Sequence, residues 1–496
     1  MSEKDTHGRA PAEAASLTSG LTCASRTGPD VLVAGAGPGG CVAALAFAAR
    51  GAAVQILDPL SGPRPGLSGE WLQPAGVSAL RRLGVELPDG RFSFNRGFIV
   101  HPGDGGAPIE LHYPSGMAVS MRHSVLTDVL RTAVEDHASI TVTPGRVIGG
   151  RPAAGELHTS CGTLYTGVAV GADGRSSAVR RALRADRPAS VPLSHTAGFL
   201  LPGAELPKEG YGHVFLGGAG PVLVYRVAPD ALRMCVDVPL GAPNPSKVFR
   251  YLHRGYAHVL PPPLREGFLG QLHPHNVQWA ANRFLRRTDY GHGRCALVGD
   301  AVGYSHPLAA LGMALAILDG ECLGHSTSLA VYARERTTQS WAAERLGAAI
   351  HRVVTEDDAA SRTLRQALFR LWRCDPDERD RTMALLSMTD ARRRSFMACV
   401  AHIAREASGL HVEGTYPRRR PVTTSRSLVP LASWLLCLSG PYAGIPQDWK
   451  SPVPAGQLKG QIARVGEERF MAHDTHLAEE PSKPGREPAP ATAREI

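Results

Sequence analysis

A chain of 496 residues with 43% hydrophobic and 20% charged residues has a globular composition and room for two or three domains. Its net charge of +9 comes from scattered Lys and Arg with only short Arg clusters, which argues against a nucleic-acid partner and suits an anionic membrane face. Nine dispersed cysteines without C-x-x-C or zinc spacing argue against a disulfide scaffold or a metal site and for reduced thiols in a cytoplasmic compartment.

Residues 1–29 are rich in Ala, Ser, Thr and Gly, lack the apolar core of a signal peptide and read as a disordered N-terminus. The stretch Asp30–Asp58 then organises the chain. Val31–Ala34 is an apolar run of buried-strand type, Gly35, Gly37 and Gly40 form G-x-G-x-x-G, Cys41–Arg50 is Ala-rich, and Val54–Leu57 is a second apolar run ending on Asp58. The glycines allow a tight turn, backbone approach to a pyrophosphate and close helix–strand contact. Phosphates sit on a helix N-terminus, where N–H groups are unpaired, and an acid roughly 20 residues on can hold a ribose hydroxyl. Strand, glycines, helix, strand and acid in this order predict a dinucleotide site at Gly35, Gly37, Pro38, Gly39, Gly40 and Asp58.

Farther on, Gly66–Val85 begins as a loop and continues into a helical stripe of Val77, Leu80 and Leu83. Phe98–Val100 and Ile109–His112 look like strands, and Arg122 opens an amphipathic helix with Val125, Leu126, Val129 and Leu130 on one face. Between about 190 and 285, short runs such as Thr196–Leu201, His213–Leu216, Val222–Val227 and Leu232–Val238 alternate with Gly and Pro, which predicts an inserted antiparallel sheet. Cys295–Val298 is again a buried strand, and Ser340 to about Gly409 is helical. Leu428–Leu438 is apolar, and the Pro-rich end reads as a disordered tail. We found no internal repeat.

Four stretches carry a resemblance: GAGPGG at Gly35–Gly40, GEWLQP at Gly69–Pro74, GADGRSSAVR at Gly171–Arg180, and Gly299-Asp300 with His306-Pro307 and Gly312-Met313. The chain resembles flavin-dependent monooxygenases of the para-hydroxybenzoate-hydroxylase fold, and within them squalene epoxidases, from about 30 to 410; PVLVYRV at Pro221–Val227 is similar to a strand of their substrate sheet. The resemblance implies an α/β fold: a Rossmann-like FAD-binding domain (30–190 plus 286–345, with 92–115 joining the substrate sheet), an inserted antiparallel substrate domain (191–285), a C-terminal helical region (346–448) and a disordered tail (449–496). It implies FAD held by the fingerprint, Arg122, Asp173, Gly299, Asp300, Pro307, Gly312 and Met313, with electrons from NAD(P)H directly or through a separate reductase. Asp300 would accept from a ribitol hydroxyl. The N–H groups near Gly312 and Met313 would face charge developing on the flavin N1/C2 carbonyl. Asp173 would serve FAD or the nicotinamide cofactor, or only shape a turn. His306-Pro307 would wall the flavin ring, or only stiffen the loop.

The resemblance further implies that reduced flavin adds O2 as a C4a-hydroperoxide, whose distal oxygen passes to an alkene or arene, so that no acid–base triad is needed. A large, apolar, isoprenoid-bearing substrate follows, and Trp434 with Arg418, Arg419, Arg420 and Arg426 suggests peripheral membrane contact.

There are departures. Where the family carries HPLTGGGM, this chain has Ala310 and Leu311 in place of glycines, which predicts added bulk beside the flavin. The Arg preceding the Gly-Glu pair is replaced by Gly66, with Arg64 as a substitute. Gln73 resembles the glutamine near flavin N5, but the tyrosine that holds it is replaced by Phe98 in Gly97–His101. A buried Gln73 would need a water, a backbone carbonyl or a polar substrate atom instead, since an unpaired buried amide costs about 1–3 kcal/mol. Gln73 and Phe98 are thus the expected catalytic and specificity positions. They favour a prenylated aromatic, such as a farnesyl quinolone or indole of secondary metabolism, as the alternative to squalene. An FAD-dependent isoprenoid reductase is a further reading, while the retained DG and GD motifs argue against a redox-inactive lipid carrier. A halogenase is disfavoured, since no W-x-W-x-I-P run occurs.

Overall fold

The computed structural model describes residues 28–59, 67–184, 190–241 and 247–412. The expected disordered termini, Arg64, Gly66, Leu428–Leu438 and the Arg418–Arg426 cluster lie outside the described residues.

A six-stranded sheet runs in the order Gly291–His292, Cys295–Leu297, Val168–Gly171, Val31–Ala34, Val54–Asp58, Ile140–Pro144. Its pairs are parallel except the first, and Val31 lies between Val54 and Val168. Its central strands are buried throughout, as expected of a parallel sheet covered on both faces. Helix Pro38–Ala48 follows the first strand and packs on helix Gly312–His325. The two approach closely because Gly320 carries no side chain: a Cβ there would lie 2.6 Å from Gly39 O and 2.8 Å from Ala43 N.

The second layer is a seven-stranded sheet in the order Gln278–Phe284, Val191–Pro202, Ala231–Pro239, Val222–Ala228, Gly212–Phe215, Gly97–His101, Ile109–His112. Segment 92–115 contributes its last two strands. The sheet is antiparallel except where Gly212–Phe215 meets Gly97–His101 in parallel. Strand periodicity sorts its side chains. Val222 and Val224 pack with Leu252, Tyr256, Leu264 and Phe268 of helices Val248–Tyr256 and Pro262–Gly270. Leu223 and Tyr225 join the opposite cluster, with Trp71, Phe98, Leu111 and Tyr113.

That cluster is closed by helices Leu329–Thr355, Ala359–Cys374, Pro376–Leu386 and Arg393–Val412. Helical structure thus starts before Ser340, and one helix runs across the boundary expected at 345. The expected helical stretch is cut into separate helices by caps. Asp358 accepts from Ala360 N and Ser361 N at 2.9 and 3.1 Å, and Asp375 accepts from Glu378 N at 3.1 Å.

Candidate active site

The fingerprint folds as strand, turn and helix. Gly35 takes φ +104°, where a Cβ would lie 2.6 Å from Ala172 O; Gly40 sits 2.0 Å, by the same measure, from Gly35 O. Both glycines are sterically required. Gly37 differs: it is the N-cap with extended φ −76°, no side chain caps the helix, and a Cβ there meets nothing within 4 Å. An uncapped N-terminus beside open space suits a phosphate. Asp58 ends its strand beside this turn, almost fully buried. Its Oδ2 accepts from Ala36 N at 2.8 Å and its Oδ1 from Arg131 at 2.9 Å.

Asp173 is brought against the same turn, its Cα 3.3 Å from a Cβ built on Gly35. Its Oδ2 accepts from Ala178 N and Val179 N at 2.6 and 3.1 Å, while its Oδ1 is buried with no partner among the described residues. Asp173 thus ties its loop to the N-terminus of helix Ala178–Leu183, and one acceptor oxygen is left over.

Asp300 lies in the short turn Gly299–Ala301, ion-paired to Arg175 at 3.2 Å, and Arg180 donates to Asp300 O and Ala301 O at 3.1 and 2.8 Å. A buried carboxylate that sequence reasoning missed, Asp319, accepts from Gly299 N at 2.8 Å and pairs with Arg287 and Arg336. Arg287 in turn donates to Gly299 O and Gly303 O at 2.8 and 3.1 Å. A lone Asp in the apolar helix GMALAILDG was the available signal.

Gly312 and Met313 open a helix that no side chain caps, and Gly312 is exposed. Met313 reaches the Gly-Glu loop, 3.0 Å from a Cβ built on Gly69. Arg122 is the exposed N-cap of helix His123–Glu135; its carbonyl accepts from Val125 N at 2.9 Å, its side chain has no hydrogen-bond partner among the described residues, and His123 Nδ1 lies 2.9 Å from Gly69 O. Two uncapped helix N-termini, an unpartnered Asp173 oxygen and a side-chain-free approach at Gly37 are chemistry that fits FAD.

His306 and Pro307 split. Pro307 is exposed at the start of turn Pro307–Ala309, whereas His306 turns inward, 6% exposed, onto Asp237. It therefore does not serve as a wall; only Pro307 presents an open face.

Gln73 is fully buried, and its amide is satisfied at both ends. Nε2 donates to Ala309 O at 3.0 Å, and Oε1 accepts from Tyr113 Oη at 2.7 Å. Trp71 Nε1 donates to the same hydroxyl at 3.3 Å. Burial drives the Tyr113 phenol far above its ordinary range, so it remains a donor. The expectation that Phe98 leaves Gln73 in need of a substrate atom is therefore corrected. Phe98 instead stacks on Trp71 at 4.7 Å, in space that Gly212 leaves open. Tyr113 was legible only through the alternation Ile109, Leu111, Tyr113, all buried, against Glu110 and His112.

Leu311 is corrected likewise. It is 1% exposed in the helix-side core, with Cδ1 2.9 Å from a Cβ built on Gly347, so its bulk is taken up by the long helix. Ala310 supplies the curvature itself, at φ 51°, ψ 38°. Glu70 is a third missed residue, after Asp319 and Tyr113: it forms a buried bidentate pair with Arg233 at 2.7 and 2.9 Å, tying GEWLQP to the substrate sheet.

The Squalene epoxidase family model matches residues 166–414, half of the chain. The chain belongs to the squalene epoxidase family. Among its relatives, squalene monooxygenase of Rattus norvegicus is 27% identical over 327 residues, covering 60% of this chain and 54% of the relative. Squalene epoxidase 2, mitochondrial, of Arabidopsis thaliana is also 27% identical, covering 59% and 53%. The chain thus spans about half the length of these relatives. The fold is shared with solved structures. P. aeruginosa PqsL in complex with 2-aminobenzoylacetate has a TM-score of 0.55 at 19% identity, covering 72% of this chain and 99% of that one. p-Nitrophenol 4-monooxygenase PnpA from Pseudomonas putida has a TM-score of 0.59 at 19% identity, covering 74% and 99%. Among the described residues no helix is long and apolar enough to cross a membrane.

Proposed function

We propose that this protein is an FAD-dependent monooxygenase that epoxidises or hydroxylates a large apolar, isoprenoid-bearing substrate with O2 and NAD(P)H-derived electrons. One arrangement carries the reading: Gln73, locked between Tyr113 and Ala309 O, stands where the uncapped helix at Gly312 meets the apolar face of the substrate sheet. Bound FAD supplies the oxygen chemistry. The chain's own residues bind and orient. Gly37–Gly40 would take the diphosphate, Asp300 and Asp173 would accept from cofactor hydroxyls, and the N–H groups at Gly312 and Met313 would meet negative charge on the ring. Trp71, Phe98, Leu223 and Tyr225 line the second core and keep its polar inventory low.

With Tyr113 holding Gln73 and Leu311 buried against Gly347, the two residue-level grounds for preferring a prenylated aromatic fall away, and a linear isoprenoid alkene is the first substrate to try. The apolar Leu428–Leu438 with Trp434 and the preceding arginines supports peripheral contact with anionic lipid. The deciding experiment is mass spectrometry of products from squalene and from farnesylated aromatics under 18O2, with NADH or NADPH and with or without an added flavin reductase. One labelled oxygen per product is expected. Saturation of a double bond without label would establish the reductase reading instead.

A further inference from the structure

Behind the turn that receives Gln73 lies a buried polar knot that the oxygenation reading leaves without a role. Asp237 of strand Ala231–Pro239, His306 and His351 of helix Leu329–Thr355 have ligating atoms within 4.8 Å of one another, all buried. The composition suits a metal, but the geometry does not. The two imidazoles stack at 3.8 Å with 24° between their planes, so their in-plane lone pairs do not converge. His306 Nδ1 accepts from Leu308 N at 3.1 Å, which puts the proton of a neutral ring on Nε2. That proton faces two acceptors of the substrate sheet, Asp237 Oδ1 at 3.0 Å and Ser194 Oγ at 2.9 Å. Ser194 also donates to Asp237 Oδ1, and Asn282 Nδ2 spends its protons on Ser194 Oγ and Thr196 Oγ1, both at 2.8 Å. Burial alone would raise the Asp237 carboxyl; the bonds from His306 and Ser194 outweigh it and keep it below the usual range, as an acceptor.

A continuous path results. Asp237, Ser194 and Asn282 belong to three adjacent strands of the substrate sheet. His306 grips Asp237 with one nitrogen and, with the other, closes the turn Pro307–Ala309. Ala309 O receives Gln73. Gly347 lets the long helix press on the back of this turn, where a Cβ would lie 3.4 Å from that of Ala309.

We propose that His306 is a positioning residue: held in one tautomer by Asp237, it fixes the Pro307–Ala309 turn, and with it Gln73, at a set distance from the substrate sheet. The inference rests on the reading that Gln73 faces the flavin, but the tie itself can be tested without cofactor.

Three measurements decide it, on the full chain. His306→Asn keeps an acceptor two residues before Leu308 N, as in an Asx-turn, while losing the reach to Asp237. Asp237→Asn keeps the shape and weakens the bond. In FAD-free protein, amide hydrogen exchange in peptides covering 308–311 should rise about ten- to a hundredfold in His306→Asn, the range expected for a lost hydrogen bond to a charged group, and less in Asp237→Asn. Exchange in Val31–Ala34 and Val168–Gly171 should stay as in the wild type. After reconstitution with FAD, the visible flavin band should shift in both variants. Unchanged exchange in 308–311, or a uniform rise over the whole chain, would overturn the proposal. So would one equivalent of bound zinc in the wild type that Asp237→Asn loses. Failure of the wild type to take up FAD while 308–311 behaves as stated would sink the monooxygenase reading and leave the tie standing.

Discussion

Tyr113 donates to Gln73 across 2.7 Å, and so does the work that position 98 cannot do. Phe98 and Leu111 are register partners, and Tyr113 follows on the same face as Leu111. In this chain the hydroxyl that holds Gln73 comes from the residue just after strand Ile109–His112, beside the strand that carries Phe98. Tyr113→Phe should leave Gln73 Oε1 buried without a donor and destabilise the protein by about 1–3 kcal/mol, with slower oxygenation. Urea titration reads the first effect; a midpoint equal to that of the wild type would show that Oε1 finds another donor. Phe98→Tyr, by contrast, should bring no gain in stability, since Gln73 is already satisfied.

Gly37 separates cofactor binding from folding. Its extended φ and the open space beside it tolerate a side chain in the protein alone. Gly37→Val should keep the apo-protein's thermal midpoint and circular dichroism but lose FAD, read as flavin absorbance after desalting. Asp300→Ala should lower the FAD content less completely. A yellow, normally loaded Gly37→Val protein would place the diphosphate elsewhere.

The Glu70–Arg233 pair is 5% exposed on each side, so removing one partner strands a charge. Glu70→Met should cost about 3–5 kcal/mol, and Arg233→Met a similar amount, while the double Met variant should recover much of the loss. Guanidinium denaturation of the four proteins forms the cycle. A double variant as unstable as the sum of the singles would show no coupling.

Ala310 occupies the left-handed region at φ 51°. Ala310→Gly should relieve about 1 kcal/mol of strain, partly offset by the extra freedom of glycine when unfolded, and Ala310→Val should destabilise. Thermal midpoints of the two variants should fall on opposite sides of the wild type; both falling below it would mean that the methyl group contributes packing that outweighs the strain.

Stability should fall on acidification. Burial, with His306 beside it, holds His351 down to about 3, and burial, with His213 beside it, holds His101 to about 4; burial lowers His213 too. The unfolded rings titrate near 6.5. Between the two values the unfolded chain binds more protons, so the stabilisation is complete above about pH 6.5 and is lost progressively below it. One such mismatch is worth up to about 1.4 kcal/mol per pH unit. Only His351, nearly fully buried, approaches this limit, and solvent screens the half-buried His101. His351→Leu should therefore have a shallower loss of denaturation midpoint from pH 7 to pH 5 than the wild type; parallel slopes would contradict the assignment.

What the sequence determined by itself is whatever short-range chemistry encodes. The Gly-rich turn at Gly35–Gly40 was legible because only glycine tolerates a left-handed φ at Gly35 and backbone contact at Gly40. The substrate strands were legible because Val222–Val227 and Leu232–Val238 carry apolar runs between turn residues. What only the tertiary structure decided are the contacts between residues remote in sequence. The tyrosine that holds Gln73, the direction taken by Leu311, the clamp of Asp319 on Gly299 and the tie from Asp237 to His306 all depend on strand register and on how the sheets and the long helix stack. A hydrogen bond needs its partners near 3 Å, and spacing along the chain does not encode that distance across a fold. The same motif residues could have been supported by several different neighbours, and packing selected Tyr113, Asp319 and Asp237.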